Sequence, residues 1–294
     1  MNPDQRSISG AVCFVAAGLV NTSSTRDVVS RCGKPATSFC DRKSLTKAKV
    51  VQAPRQAHIV KCSSVQSSVI KTQAEFDKAL KEKTLRIAFI GMSNCGKSFR
   101  SFQLRDEYGF DMVSVDEEIE KRIEPELTAL GYQGIQGMAE WMGFPFDERN
   151  RKNEQRYLDI EDDVTANVEF PLSPAKANCT LDTTGSVIYL SQSTLEKLKH
   201  SYLIVHLEAS DDILDIMTEN YFTMPKPVVW GTAFNQKEGE NGMDALRRCY
   251  PGLLRLRREK YNQLAHVVIP ASISRGYDVN IKQFVDILRK KLPK

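Results

Sequence analysis

Residues 91–98 constrain the fold of this chain more than any other segment. Their sequence, GMSNCGKS, fits the pattern G-x-x-x-x-G-K-[ST]. The glycines let the backbone curl so that several N–H groups point at one phosphate. Lys97 can then reach the β- and γ-phosphates, and the Ser98 hydroxyl can hold Mg²⁺. This segment, called the phosphate loop below, is therefore predicted to bind the phosphates of a nucleoside triphosphate.

The flanking sequence supports this interpretation. Residues 85–90 form a short apolar run that predicts a buried strand, and the run ends directly at the loop. Residues 98–108 predict a helix closed by Gly109. The positive amino end of that helix would face the bound anion. The alternative interpretation is an ordinary glycine turn. Such a turn gives no packing reason for a lysine and a serine after the second glycine.

The first 73 residues differ in composition from the rest of the chain. They hold eleven basic and three acidic residues, a net charge of +8, whereas the whole chain carries +4 and residues 74–294 therefore carry −4. The basic character belongs to this segment, which argues against nucleic-acid binding by the remainder. Its many Ser and Thr residues and its few acids are typical of an organelle transit peptide. We expect residues 1–73 to be a disordered targeting leader and residues 74–294 to form one domain.

Residues 8–20 complicate the targeting prediction. This run of small and apolar residues follows Arg6 and is long enough for a signal-peptide core but too short to span a bilayer. A signal core followed by a transit-like segment suits a bipartite presequence, and we expect import into the plastid stroma by organelle import machinery. A plain transit peptide or a disordered tail remain alternatives, with the mitochondrion or the cytosol as the other locations.

The cysteines and histidines predict no metal or disulfide framework. Four of the seven cysteines lie in the leader, and the remaining three, Cys95, Cys179 and Cys249, show no C-x-x-C spacing. The four histidines are scattered along the chain. Cys95 lies inside the phosphate loop near a helix amino end, where a thiolate is favoured. Two roles for Cys95 remain open: it is a redox switch, or it is simply a small residue that fits the loop.

Strands alternate with helices along residues 74–294, which predicts a parallel sheet with helices on both faces. Further strands are expected at residues 110–115, 177–181, 202–207 and 266–270. Further helices are expected from residue 116, where Asp116 is a suitable N-cap, and at 153–168, 193–199, 211–220, 243–264 with a break near Pro251, and 280–291. Residues 125–149 receive no assignment. With the phosphate loop after the first strand, the predicted fold class is α/β of the P-loop type found in NTPases and small-molecule kinases.

The order of the smaller motifs resembles shikimate kinase. The phosphate loop is followed by the segment 115–122, a glycine turn at 184–186 and the segment 257–265, and the resemblance runs with gaps over residues 85–270. It implies transfer of the γ-phosphoryl group of ATP to a hydroxyl of shikimate, with Mg²⁺, in the aromatic amino-acid pathway. In plants and algae this pathway is plastidic, which fits the predicted leader.

The resemblance also implies roles for individual residues. Asp116 would orient the substrate hydroxyls and act with Lys97 in catalysis, while Gly185 and Arg257 would contact substrate, Arg257 at its carboxylate. Lys226 stands in place of an arginine in the Arg-Pro pair of a mobile lid. The implied nucleotide-binding residues are Gly91, Met92, Ser93, Asn94, Cys95, Gly96, Lys97, Ser98 and Lys226.

Several residues depart from the family pattern. Asn94 replaces a glycine of the loop, and Leu158 replaces an arginine that would grip the substrate carboxylate in a fork, which leucine cannot do. Thr184 and Ser186 replace two glycines and add bulk beside Gly185. The nucleotide side is therefore largely intact and the acceptor side is altered.

The predicted metal site also departs from the family. Ser114 replaces an aspartate that supports Mg²⁺. Asp182 ends the third predicted strand, the usual place for a carboxylate that holds Mg²⁺ through water. Asp182 and Ser98 are therefore the expected metal-binding residues, and an Asx turn is the alternative role for Asp182.

Three functions follow from these observations. The first is a kinase that uses Mg²⁺ and ATP on a small hydroxylated, anionic molecule, with shikimate as the best candidate and another small acceptor as an alternative. The second is a nucleotide-binding regulatory protein that has lost turnover. The third is a nucleotide hydrolase or switch, although the chain lacks a clear N-K-x-D motif for reading guanine. No nucleic acid is expected as a partner, and no membrane for the mature protein.

Overall fold

The computed structural model of this chain describes residues 69–170, 177–276 and 278–294. The predicted leader lies outside the described residues except for positions 69–73. Within the described part, no helix combines the length and the apolar character that crossing a membrane requires.

The centre of the fold is a five-stranded sheet with the strand order β2-β3-β1-β4-β5. All four pairings between neighbouring strands are parallel. The strands are β1 (Arg86–Ile90), β2 (Asp111–Ser114), β3 (Cys179–Asp182), β4 (Leu203–Glu208) and β5 (Val267–Pro270). Every predicted strand is present, and their ends differ from the prediction by at most two residues.

Helices surround this sheet. They are α1 (Gln73–Glu82), α2 (Lys97–Tyr108), α3 (Val115–Ala129), α4 (Gly134–Met142), α5 (Asn150–Ala166), α6 (Gln192–Ser201), α7 (Asp211–Thr223), α8 (Gly242–Leu264), α9 (Ala271–Ser274) and α10 (Ile281–Lys290). Strands β1, β3 and β4 are buried almost throughout, as expected for a sheet covered on both faces. The predicted P-loop α/β fold is thus confirmed.

Two local predictions are wrong. Asp116 does not cap α3, because the helix begins one residue earlier and the Ser114 side chain accepts the hydrogen bond from the Glu117 N–H. Helix α8 is not broken at Pro251. A proline inside a helix removes one backbone donor and crowds the carbonyl four residues earlier. Buried side chains on both sides of Pro251, such as Tyr250 and Leu254, hold the helix against the core and outweigh this cost.

Three helices were not predicted: α1, α4 and the single turn α9. Helix α1 begins at Gln73 after a capping box at Thr72, and the Gln73 N–H donates to the carbonyl of Pro293 at 2.8 Å. This contact ties the start of the described chain to its end. Helix α4 lies in the unassigned stretch 125–149 and buries Met138 and Trp141.

Arg100 ties helix α2 to the segment that follows β5, which consists of α9 and the loop after it. Its side chain is fully buried. The guanidinium donates to the carbonyls of Ser274 (Nε, 2.9 Å), Val279 (Nη1, 2.8 Å), Ile273 (Nη2, 2.6 Å) and Gly276 (Nη2, 3.1 Å). Burial lowers the pKa of Arg100 to about 10. The segment after β5 is therefore fastened to the helix that starts in the phosphate loop.

Arg100→Met is expected to lower the free energy of unfolding by about 3 kcal/mol, because one buried and three partly buried carbonyls lose their donor. Urea unfolding of the two proteins measures the difference. Arg105→Met is the matched control on the same helix, where the arginine is half exposed, and it should change stability by less than about 0.5 kcal/mol. Equal losses in both variants would contradict the role of Arg100.

Candidate functional site

The phosphate loop lies at the carboxyl edge of the sheet, between β1 and α2. Gly91 and Gly96 both have positive φ angles, 140° and 94°. A Cβ at Gly91 would lie 2.6 Å from the Leu207 carbonyl oxygen, and one at Gly96 would lie 2.7 Å from that of Ser274. Both positions therefore require glycine. Asn94 has a φ of 62°, a left-handed conformation that asparagine tolerates better than most residues.

The amino end of α2 is open to an anion. Its N-cap, Gly96, offers no side-chain oxygen to the first N–H groups of the helix, so these donors are available to a phosphate. Ser93, Asn94 and Ser98 are exposed around this point. Of the predicted nucleotide residues of the loop, Ser93, Asn94 and Ser98 are therefore accessible, whereas the side chains of Met92, Cys95 and Lys97 are buried.

Lys97 is held inside the phosphate loop. Its side chain is buried, and its Nζ donates to the Met92 carbonyl oxygen at 3.1 Å. Burial raises the pKa of Asp116 and of Asp182, and the ammonium group lies close enough to both carboxyls to oppose this rise. One lysine therefore faces both the predicted catalytic acid and the predicted metal-binding acid.

Asp182 ends β3 in register with Phe89 of β1 on one side and Ser114 of β2 on the other. Its side chain is buried and lies near the Ser98 hydroxyl. Burial raises the pKa of Asp182, while Lys97 and Ser98 oppose the rise. Its Oδ1 has no hydrogen-bond partner in the described structure.

This arrangement fits Mg²⁺. A free carboxylate oxygen beside a serine hydroxyl supplies the hard oxygen ligands that the ion prefers. Among the described residues there is no group of three or more His, Cys, Asp or Glu side chains that could enclose a metal. Mg²⁺ needs no such cage, because it usually keeps several waters and binds one or two carboxylates together with phosphates.

Asp116 lies in the first turn of α3 and is exposed to the solvent. The surrounding protein nevertheless removes part of its hydration and raises the pKa of its carboxyl, while Lys97 and Lys226 lower it. The nearby Tyr157 hydroxyl also favours the ionised form of this carboxyl. The structure thus brings Asp116, Lys97 and Lys226 together, although they come from three distant parts of the sequence.

Lys226 itself is exposed, in the segment that follows α7. The sequence predicted a mobile lid here, but the segment is anchored a few residues later. The Glu154 carboxylate accepts hydrogen bonds from the backbone N–H groups of Trp230 (2.6 Å) and Gly231 (3.0 Å). The side chain of Lys226 therefore extends from a segment with a fixed far end.

Arg257 faces inward from α8 and is buried. Its Nη2 donates to the Val229 carbonyl oxygen at 2.6 Å, and its guanidinium lies 5.6 Å from the centre of the Tyr189 ring. Its Nε has no partner in the described part of the chain. A Cβ at Gly185 would lie 3.3 Å from its Nη1. The two predicted substrate residues, Gly185 and Arg257, are therefore neighbours.

Sequence reasoning missed Glu161. This residue of α5 is fully buried, and its carboxylate accepts hydrogen bonds from the hydroxyls of Ser186 (Oε2, 2.5 Å) and Thr184 (Oε1). Burial raises the pKa of Glu161 to about 7. A signal existed in the sequence, because Glu161 lies four residues after Tyr157 on the apolar stripe of the predicted helix.

Two further residues are Leu158, which replaces a carboxylate-binding arginine of the family pattern, and Cys95, for which the sequence left open a redox switch or a small loop residue. Leu158 is half-buried and packs against the hydrophobic core, so it provides no grip for a carboxylate. Cys95 is buried, and burial raises the pKa of its thiol. The structure therefore favours the role of Cys95 as a small residue that fits the loop over its role as a reactive thiolate.

Neither a family model nor a curated protein matched this chain. Among solved structures, it is similar to the shikimate kinase from Acinetobacter baumannii in complex with shikimate, with 20% identity, 72% of this chain and 98% of that chain covered, and a TM-score of 0.44. Shikimate kinases from Bacteroides thetaiotaomicron and Aquifex aeolicus each share 16% identity over 70% of this chain and 97% of theirs, with TM-scores of 0.42 and 0.41. The P-loop α/β fold itself follows from the strand order and the phosphate loop.

The raised pKa of Glu161 gives a testable dependence of stability on pH. The folded protein keeps a proton on this carboxyl up to a pH of about 7, whereas its ordinary value is 4.5. Between these values the folded state binds more protons than the unfolded state, so the free energy of unfolding falls as the pH rises.

Glu161→Gln removes this contribution and should flatten the curve of stability against pH between about pH 5 and pH 8. The difference in free energy of unfolding between the two proteins should change by roughly 3 kcal/mol across this range. Urea unfolding at a series of pH values measures it. Parallel curves for the two proteins would show that Glu161 is ionised normally in the folded state.

Proposed function

We propose that the protein transfers the γ-phosphoryl group of ATP to a hydroxyl of a small molecule, and that shikimate is the acceptor. The observation that carries the proposal is that Asp116 lies within electrostatic reach of both Lys97 in the phosphate loop and Lys226. A carboxylate that faces two cations beside an anion-binding loop can hold an acceptor hydroxyl next to a bound phosphate.

The residues on the nucleotide side position the phosphates and neutralise their charge, which supplies most of the rate in phosphoryl transfer. The loop N–H groups and Lys97 bind the β- and γ-phosphates, and Lys226 reaches the transferred group. Ser98 and Asp182 would hold Mg²⁺, which when bound neutralises the charge that develops on the phosphate oxygens.

The residues on the acceptor side orient the hydroxyl. Lys97 and Lys226 favour the ionised form of Asp116, which can accept a hydrogen bond from that hydroxyl. Arg257 has an unpartnered Nε, and its Nη1 lies near Gly185, which suits an anionic group on the acceptor. This second feature favours a carboxylate-bearing acceptor such as shikimate.

A nucleotide-binding regulatory protein without turnover is the second candidate function. Leu158 supplies no second cation for a carboxylate, and the hydroxyls of Thr184 and Ser186 already donate to Glu161. The acceptor side is therefore narrower and less cationic than the resemblance implies. A kinase for another small hydroxylated molecule would accommodate the same observations.

For the location, we propose plastid import directed by residues 1–73. The composition of this segment supports the proposal. Fusion of these residues to a fluorescent protein tests it: fluorescence confined to plastids is expected, and fluorescence in mitochondria or throughout the cytosol would contradict it.

The release of ADP by the purified full-length protein tests the proposed activity. With Mg²⁺ and ATP, shikimate should raise the rate, and Asp116→Asn should lower the shikimate-dependent kcat by about 100-fold. Glu117→Gln is the matched control, since Glu117 is an exposed acid in the same helical turn, and it should retain most activity. Binding of ATP without any stimulation by shikimate would favour the regulatory protein or another acceptor.

Lys97→Met tests the nucleotide site separately. The variant should bind Mg²⁺·ATP about 100-fold more weakly, because the β- and γ-phosphates lose their charged partner. Isothermal titration calorimetry measures the dissociation constants. Lys121→Met, which removes an exposed lysine of α3, should bind as the unaltered protein does. Unchanged affinity in Lys97→Met would refute the phosphate-loop assignment.

A further inference from the structure

The Glu154 carboxylate of α5 binds the backbone of a segment that is distant in sequence. Its Oε2 accepts a hydrogen bond from the Trp230 N–H at 2.6 Å, and its Oε1 accepts one from the Gly231 N–H at 3.0 Å. Each carboxylate oxygen thus has its own backbone donor, and such charge-assisted bonds are among the stronger hydrogen bonds in proteins. Helix α5 therefore holds residues 230 and 231 in place.

The Trp230 side chain is fixed as well, by helices α7 and α8. It is buried, and the centre of its ring lies 6.2 Å from that of Tyr221 on α7 and 5.7 Å from that of Tyr250 on α8. The two tyrosine rings stack on each other at 4.4 Å. Because Tyr221 belongs to the last turn of α7, the ring contacts bring the end of this helix and Trp230 together. Residues 222–229, called the 222–229 loop below, therefore form a loop that is closed at its base.

Arg257 places the end of the 222–229 loop beside the phosphate loop. Its Nη2 donates to the Val229 carbonyl oxygen at 2.6 Å. The same guanidinium lies next to Gly185, where a Cβ would be 3.3 Å from Arg257 Nη1 and 4.0 Å from the Ser93 nitrogen. Lys226 precedes Val229 by three residues, which span at most about 11 Å of extended chain. The lysine is therefore confined to the neighbourhood of the phosphate loop.

The position of the Lys226 ammonium group depends on these backbone anchors. The side chain is exposed, and within the described ranges it forms no hydrogen bond or ion pair of its own. Its charge nevertheless acts at the site, because it lies within electrostatic reach of Asp116 and favours the ionised form of that carboxyl. What keeps the lysine there is the closed base of the loop that carries it.

We propose that Glu154 is a positioning residue: by fixing the base of the 222–229 loop, it holds Lys226 at the γ-phosphate of bound ATP. The inference rests on the proposed function in one respect, namely that the phosphate loop binds ATP with its γ-phosphate towards Lys226. Without Glu154 the 222–229 loop takes up more conformations, and ordering it again when ATP binds costs free energy. Helix α5 thereby controls a contact with the nucleotide that it does not itself touch.

The binding of Mg²⁺·ATP and of Mg²⁺·ADP to the full-length protein tests this role, and isothermal titration calorimetry measures both dissociation constants without turnover. Lys226→Met should weaken the binding of ATP about 10-fold and that of ADP less than about 2-fold, because only ATP carries the γ-phosphate. Glu154→Gln should show the same selectivity and weaken the binding of ATP about 5-fold, because an amide offers only one acceptor to the two N–H groups. Glu154→Ala removes both acceptors and should reach about 10-fold.

The double variant of Glu154→Gln and Lys226→Met separates positioning from a general structural effect. If Glu154 acts through Lys226, the double variant should bind ATP about 10-fold more weakly than the unaltered protein, as Lys226→Met alone does. Independent effects would multiply to about 50-fold. Asp159→Asn is the matched control, since Asp159 is an exposed acid on the same helix, and it should leave both affinities unchanged.

Hydrogen–deuterium exchange, detected by mass spectrometry, follows the 222–229 loop itself. Both Glu154 variants should exchange about 5-fold faster or more in peptides that cover residues 224–231, because the Trp230 and Gly231 N–H groups lose an acceptor. Peptides from α2 should exchange as in the unaltered protein, which shows that the variants are folded.

Multiplied losses in the double variant would overturn the proposal. An ATP affinity that neither Glu154 variant lowers, or that Lys226→Met leaves unchanged, would overturn it too, as would equal weakening of ATP and ADP in the Glu154 variants. A failure of the proposed kinase activity would be seen separately, as ADP release that shikimate does not stimulate in a protein that binds ATP.

Discussion

The parallel pairing of β3 with both β1 and β2 is the constraint on which the site depends. It places Asp182 opposite Phe89 on one side and opposite Ser114 on the other. The phosphate loop leaves β1 just beyond the first contact, and α3, with Asp116, begins just beyond the second. A slip of one residue in this register would move the Asp182 side chain to the other face of the sheet.

Two charged side chains in the interior of the protein, Arg100 and Glu161, have mainly uncharged hydrogen-bond partners. Arg100 binds backbone carbonyls, and Glu161 accepts hydrogen bonds from hydroxyls. Such partners compensate the desolvation only in part, which explains the lowered pKa of Arg100 and the raised pKa of Glu161. The protein thereby fixes the segment after β5 and maintains a titratable group close to the acceptor side.

The sequence predicted the features that depend on neighbouring residues. The phosphate loop is contiguous, and its glycines, Lys97 and Ser98 could be assigned from spacing alone, as could the five short apolar strands. Arg100 and Glu161 were missed because their partners are distant, Ser274 being 174 positions away from Arg100 and Thr184 being 23 positions away from Glu161. The predicted break in α8 at Pro251 is absent because packing of the flanking residues outweighs the local cost of a proline in the helix.

Binding of Mg²⁺ and ATP at the phosphate loop is tested most directly by a crystal structure of the full-length protein with Mg²⁺ and a non-hydrolysable ATP analogue. The account predicts the β- and γ-phosphates within the phosphate loop, with Lys97 on their oxygens and Mg²⁺ bound by the Ser98 hydroxyl and, directly or through water, by Asp182. Asp116 should face the γ-phosphate across a space that can hold an acceptor. A nucleotide bound elsewhere, or a metal ion out of reach of Ser98 and Asp182, would contradict the account.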